Sequence, residues 1–299
     1  MKIDRKSSLD FFSTILIIVC CVIWGFQQIT IKWIASEVTP IMQATIRSIG
    51  ATLLVYLWLR FKKIPIFQKD KTFVPGLLAG ILFAVEFLCL YSALEYTNSS
   101  RAIIFLYLAP FIVCAILAVL VPSERLNRIQ IVGLVLAFFA VGLAFQEALL
   151  AQDSTSSIGD LLALLAALAW ALTTVVVRVS ALGNIVPERT LLYQLAISSV
   201  VMVIYCMLNK TPIPYSLTPV AFAALGFQTL LVAAISYLAW FWLLRNYQAT
   251  KISSFGFLTP IFGVGFSVYF LDETLSPFLV MATIGVIVGI YMVNQRRFK

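Results

Sequence analysis

Glu86 is the side chain with the clearest chemical potential in this sequence. It stands in an apolar run among Ala84, Val85, Phe87 and Leu88, with no counter-charge within sequence reach. An apolar medium disfavours a charged carboxylate, and that is the behaviour a proton-coupled or amine-binding group needs. The plainer reading is a neutral glutamic acid that donates to a nearby carbonyl and serves packing alone. Two stripes accompany it. Trp24, Gln28 and Lys32 are spaced by four and share one helix face, as do Trp170, Thr174 and Arg178. Polar side chains inside a lipid-spanning helix turn toward the bundle interior or a water-filled cavity.

The expectation is therefore a central cavity lined by Trp24, Gln28, Glu86, Tyr107, Trp170, Thr174 and Tyr237. Tyr237 joins the set because aligning Tyr96 with Tyr247 sets it opposite Glu86 in the other half. Lys32, Arg47 and Arg178 are the expected gating or charge residues. The competing reading has Trp24 and Trp170 at the membrane interface, polar groups bonding neighbouring helices, and Lys32 and Arg178 snorkelling to headgroups. Arg47 lies about two turns beyond Pro40, deep for snorkelling, and Glu37 or Glu95 is its expected ion-pair partner. Pro110 and Pro260 each follow a basic residue by nine positions, and are expected to kink their helices as hinges or static bends. Glu124 and Glu273 fall at short turns, where a carboxylate can cap the next helix.

Other chemistries are poorly served. The chain has no histidine, which removes Ser-His-Asp catalysis, histidine metal sites and histidine proton relays. His-Glu-x-x-His, Gly-x-Ser-x-Gly and a glycine-rich nucleotide loop are missing too, so neither an enzyme nor direct ATP drive is expected, and no cofactor. The five cysteines all fall inside apolar runs and read as packing residues.

These residues must be positioned by lipid-embedded helices. Hydrophobic residues make up 62% of the 299 positions and charged ones 11%, against roughly 25% charged in soluble domains, and mean hydropathy is +1.01. Stretches near twenty apolar residues occur at about 11–35, 41–60, 73–96, 101–121, 129–148, 158–182, 189–208, 217–244, 252–271 and 277–294. The first is too long for a signal-peptide core and reads as a retained span. With the N-terminus inside, only Lys32, Arg47, Arg101 and Lys210 of the 21 basic residues fall toward the outer side. That bias expects both termini to be cytoplasmic. The net charge of +8 sits in short loops facing anionic lipid and is no nucleic-acid signal.

The chain also repeats itself. Trp24 and Lys32 match Trp170 and Arg178 at an offset of 146; Arg101 and Pro110 match Lys251 and Pro260 at 150; Glu124 and Leu126 match Glu273 and Leu275 at 149. The halves, 1–150 and 151–299, would each carry five helices. An odd number inverts the second copy, which is the architecture of secondary transporters.

The landmarks resemble a known family. Ile23-Trp24-Gly25 with Lys32, then Pro40 and Arg47, is similar to the opening of an EamA-type member of the drug/metabolite transporter superfamily. Tyr91 through Tyr96, Ala109-Pro110, Glu124-Arg-Leu126 and Gly133 resemble the end of its repeat. Gly159-Asp160, Ala169-Trp170-Ala171, Arg178, Thr259-Pro260 and Glu273-Thr-Leu275 resemble the second copy. One departure is Ser267 through Asp272 before Glu273, where the family often has a glycine. The resemblance spans nearly the whole chain. It implies an all-α protein of ten transmembrane helices in two inverted repeats, often exporting amino acids or other small metabolites.

The expected function is thus a secondary transporter in a bacterial inner membrane, working by alternating access on a small-molecule substrate. Coupling is expected to protons or to exchange, and the chain is expected to act as a monomer or weak dimer among lipids. A membrane-embedded enzyme or an uncoupled channel is the alternative, although no filter loop or charged ring is evident.

Overall fold

The structure is a computed structural model that describes residues 10–66, 70–121, 127–133, 135–136, 139–140, 154–247, 252 and 258–294. Among them every regular element is helical: α1 (Phe11–Trp33), α2 (Pro40–Phe61), α3 (Phe73–Tyr96), α4 (Ser99–Leu120), α5 (Ser154–Val179), α6 (Pro187–Leu208), α7 (Pro219–Asn246), α8 (Leu258–Leu271) and α9 (Pro277–Asn294). Helices α1 to α7 are long and apolar enough to cross a membrane, and α8 and α9 are shorter. The stretch expected as the fifth span is helical at 128–133, 135–136 and 139–140, and otherwise lies outside the described residues.

The breakers seen in the sequence set where helices begin. Pro40 and Pro187 open α2 and α6, where a missing N–H costs no bond and the fixed φ suits the first turn. Asp10 caps α1: its carboxylate accepts from Ser13 N at 2.9 Å, while Ser13 Oγ accepts from Asp10 N at 3.0 Å. That reciprocal pair satisfies two orphan donors. Thr218 caps α7 in the same way through Ala221 N, at 3.2 Å. Outside the spans, the Thr72 hydroxyl and then Arg189 hold the Asp70 carboxyl below its usual range, tying the α2–α3 loop to α6.

Packing follows the repeat. Helix α8 lies along α1, and α4 lies along α5, as an inverted pair requires; α2 and α6, the matching helices, pack on each other. Helix α3 packs along α5 and α6, while α7 is held by α1, α2 and α6. The α3–α5 seam is more extensive than its counterpart α7–α1, so the halves are not in identical arrangements. Apolar side chains such as Leu53, Leu57, Leu161, Phe222 and Ile284 cover the outside, as lipid contact demands.

Two departures from regular helix matter for function. Helix α4 is interrupted at Tyr107–Leu108, between Ser99–Leu106 and Ala109–Leu120. Pro110 has no N–H for the Leu106 carbonyl, so the bonds from Leu108 to Phe105 and from Phe111 to Leu108 tighten into a single turn. The bend expected at Pro110 is thus a break just before it. Pro260 lies in the first turn of α8 as described, and the residues at 253–257 lie outside the described set. Helix α7 widens to a π-helix over Phe227–Ser236, which nothing in the sequence announces.

Gly25 is where α1 meets α8 backbone to backbone. A Cβ there would stand 2.9 Å from Gly263 N and 3.1 Å from Phe262 Cβ, contacts that only main-chain movement relieves. Gly265, two residues on, has open space around it. Gly25→Ala is expected to destabilise the protein by about 1–3 kcal/mol. Gly265→Ala should instead stabilise it by up to about 1 kcal/mol. Thermal unfolding of both variants in detergent checks the pair; equal midpoints would refute the close approach.

Candidate functional site

A cavity sits where α1, α3, α4, α5, α6 and α7 converge. It encloses about 670 Å³ of empty space, counting its open mouth. Its walls are Trp24, Gln27 and Gln28 from α1; Phe83, Glu86, Phe87 and Leu90 from α3; Leu106 and Tyr107 from α4. Trp170, Thr173, Thr174 and Val177 come from α5, Gln194 from α6, and Tyr237, Trp240 and Phe241 from α7. The seven residues singled out in the sequence as cavity candidates all line this one space. Gln27, Phe83, Phe87, Gln194, Trp240 and Phe241 were not anticipated.

Helix periodicity explains how each is aimed. Trp24 and Gln28 lie one turn apart on α1, and Trp170 and Thr174 one turn apart on α5, so the two stripes form facing walls. Tyr107 sits at the break in α4, which turns its ring edge-on to Trp170 with centroids 5.3 Å apart. Trp24 donates from Nε1 to Ser236 Oγ at 2.8 Å and meets Trp240 edge-on at 5.2 Å. Ser236 closes the π-helix of α7, so the widened segment ends at the hydroxyl that fixes Trp24. Phe83, Phe87 and Tyr237 form a second aromatic group, with centroids 4.7 to 6.3 Å apart.

Polar atoms in the walls are sparse and partly unused. Glu86 is buried, and its Oε2 has no hydrogen-bond partner; Gln28 Oε1 and Gln194 Nε2 are equally bare. Buried groups of this kind are rare in folded proteins, and a ligand or water accounts for them most simply. By contrast, Gln27 is engaged. It donates to the Tyr91 hydroxyl at 3.1 Å, which donates to Gln228 Oε1 at 3.3 Å; Gln228 Nε2 donates to Gln43 Oε1 at 2.9 Å. This chain links α1, α3, α7 and α2 behind the cavity.

The three cations have separate fates. Arg47 is fully buried, with its guanidinium 3.9 Å above the Phe87 ring and 5.4 Å from that of Tyr91. None of its side-chain nitrogens has a hydrogen-bond partner. The ion pair expected with Glu37 or Glu95 is not formed. Glu37 accepts instead from the Thr218 N–H and hydroxyl at the start of α7, at 3.1 and 2.9 Å, and Glu95 is exposed. Arg47 is simply too deep along α2 for either carboxylate to reach. Lys32 leaves the cavity and donates to the Thr97 carbonyl at 2.8 Å. Arg178 lines a second, adjoining cavity of about 390 Å³ with Arg245, which shares Thr174, Val177 and Phe241 with the first.

At the opposite end from Arg178, the bundle is tied shut. Arg101 Nε donates to Asp160 at 3.2 Å, and its terminal nitrogen completes a bidentate pair buried between α4 and α5. Glu273 accepts from Ser99 N, Ser100 N and Ser100 Oγ at 2.9, 3.1 and 2.6 Å. Its carboxylate thus caps α4, across the bundle, rather than the helix that follows it in sequence. Glu124 lies outside the described residues. The described cysteines are free thiols, four of them buried.

Cross-bundle ties at one end, a central polar-aromatic cavity and an adjoining second cavity within a bundle of membrane-length helices fit a membrane transporter. Comparison with known proteins agrees: the chain matches the EamA-like transporter family over residues 11–146 and again over 157–295, and it belongs to that family. An uncharacterised transporter of Synechocystis is 26% identical, covering 99% of this chain and 94% of that protein. A probable amino-acid metabolite efflux pump of Escherichia coli is 21% identical, covering 93% of each. A chain described only as "Crystal structure of protein" superimposes with a TM-score of 0.71 at 13% identity, covering 95% of this chain and 96% of that one, and supports the fold alone. The protein is a multi-pass integral membrane protein of a transporter family, not of an enzyme family.

The buried Arg101–Asp160 pair yields a direct check. Asp160→Ala strands a buried guanidinium and is expected to cost about 3–5 kcal/mol of stability. Replacing both residues with apolar ones, Arg101→Met with Asp160→Leu, should recover most of it. Thermal unfolding in detergent reads both, and an unchanged midpoint for Asp160→Ala would show that the pair holds nothing together.

Proposed function

We propose that this chain is a secondary transporter that moves a small metabolite by alternating access, exporting amino acids or related compounds. The observation that carries the reading is a cavity lined from both repeats, by Trp24 and Gln28 of α1 and by Trp170 and Thr174 of α5. Repeats of this kind can exchange arrangements and present one site to either side in turn. The unequal α3–α5 and α7–α1 seams support one half being caught in a different arrangement from its mate. The efflux-pump names of the Escherichia coli and Salmonella typhimurium relatives favour export of amino-acid metabolites.

In this reading the ten spans divide into repeats 1–150 and 151–299, with both termini cytoplasmic. The end holding Arg101, Asp160 and Glu273 is then the outer gate, and the cavity lined by Arg178 and Arg245 is the cytoplasmic vestibule. Glu86 meets the substrate, Pro110 and Pro260 shape the helices that move, and Arg47 steadies the wall from behind.

Proteoliposomes test it. Purified protein facing a mixed pool of amino acids and other metabolites should accumulate some solute saturably, faster when the same solute is already inside. Glu86→Gln should lower that rate at least about tenfold and flatten its dependence on pH. Movement no faster than in empty liposomes, with or without a pH gradient, would end the transporter mechanism proposed here; transport unaltered by Glu86→Gln across a pH series would remove Glu86 from it.

A further inference from the structure

The chemistry of the cavity wall narrows the substrate beyond "small metabolite", and the argument rests on the cavity being the transport site. Eight of its seventeen lining residues are aromatic, and Glu86 is the only charged one. Aromatic faces attract cations through their quadrupole, most strongly where water is excluded. Glu86 Oε2, buried and without a partner, adds an acceptor beside Phe83 and Phe87. A carboxylate set among aromatic rings is the environment that an organic ammonium fits.

The same wall is poorly made for a free carboxylate. The two charges of an α-amino acid are separated by a single carbon, so an ammonium held at Glu86 brings its own carboxylate alongside. There it would meet a like charge in a low-dielectric space, where repulsion is severe. The buried donor left without a partner in this wall, Gln194 Nε2, is a neutral amide. It can bond a carbonyl, but it does not neutralise an anion.

The cations nearby do not solve the problem. Arg47 influences Glu86 electrostatically, yet it is not among the residues that line the cavity and its guanidinium is stacked on the Phe87 ring. Arg178 and Arg245 line the adjoining space, past Thr174, Val177 and Phe241. Arg178 is a full turn beyond Thr174 along α5, about 6 Å. Neither arginine is among the residues that line the cavity with Glu86.

We infer that the substrate is a primary amine with an aromatic or large apolar body and no free carboxylate, such as a decarboxylated or esterified amino acid, held by Glu86 and the surrounding aromatic rings.

Binding, measured without transport, tests this. Protein purified in detergent at pH 7 would be titrated with phenylethylamine, phenylalanine methyl ester and phenylalanine, read by tryptophan fluorescence. The amine and ester are expected to bind saturably, and phenylalanine about tenfold more weakly or worse. Glu86→Gln should weaken the amine about tenfold or more, and Trp24→Leu should weaken it while keeping the order of the three ligands. Phenylalanine binding as tightly as its ester would overturn the inference. So would amine affinity unchanged in a monodisperse Glu86→Gln protein, or no binding of either amine. The ligand order in the unaltered protein decides even if a variant fails to fold. Exchange of phenylalanine in proteoliposomes by a protein that ignores both amines would leave transport standing and sink this assignment alone. Tight amine binding with no movement of any solute would do the reverse.

Discussion

Lipid offers no hydrogen bonds, and that single constraint organises this protein. Every polar group carried inside the bundle has to be answered by another part of the chain or left for something that enters it. The chain answers several of them in pairs that cross between its halves, Trp24 with Ser236, Arg101 with Asp160 and Glu273 with the start of α4, and answers Lys32 within the first half through the Thr97 carbonyl. These bonds do more than satisfy donors. Each joins helices far apart in sequence, so the polar groups that lipid forbids at the surface become the ties that set how the repeats meet.

Read this way, the unanswered groups carry information. Glu86 Oε2, Gln28 Oε1 and Gln194 Nε2 are bare and all belong to residues lining one cavity, whereas the Gln27–Tyr91–Gln228–Gln43 chain behind it is complete. Grouped around one cavity, these three are placed to meet a ligand. Arg47 does not line the cavity; it stacks on the faces of Phe87 and Tyr91, which partly offset its charge. Its location beside Glu86 gives the carboxylate an electrostatic counterweight that does not compete for space in the cavity.

What the sequence made legible follows from the same constraint. A polar residue in an apolar run is conspicuous, and helix periodicity then assigns it a face, which is why Trp24, Gln28, Glu86, Trp170 and Thr174 could be grouped before any coordinates. The offset near 150 between matching landmarks pointed to related halves, with which the pseudo-symmetric packing of α1 on α8 and α4 on α5 is consistent, although that packing was not itself read from the sequence. Phe83, Trp240 and Phe241 escaped notice because an aromatic ring in a span looks the same whether it meets lipid or a cavity. Gln194 was overlooked although its polarity in a span was the signal that found Gln28. The π-helix leaves no trace in composition, since i→i+5 bonding changes geometry and not residue type. Arg47 was matched to the wrong partners because sequence shows depth along a helix only approximately, and its real neighbours are rings from α3.

The break before Pro110 shows how a lost backbone bond becomes a functional feature. In water, the Leu106 carbonyl freed by the proline would be solvated. In a membrane, the chain must tighten locally or open onto a polar space, and both Leu106 and Tyr107 line the cavity. The π-helix does the complementary thing on α7, ending at the serine that receives Trp24. The break in α4 borders the cavity, and the π-helix ends one residue before Tyr237, which lines it. Regular helices would have packed their side chains more evenly and left less room between them. The cavity therefore exists at the cost of helical regularity, and the cross-bundle bonds at its sealed end supply what holds the loosened centre together.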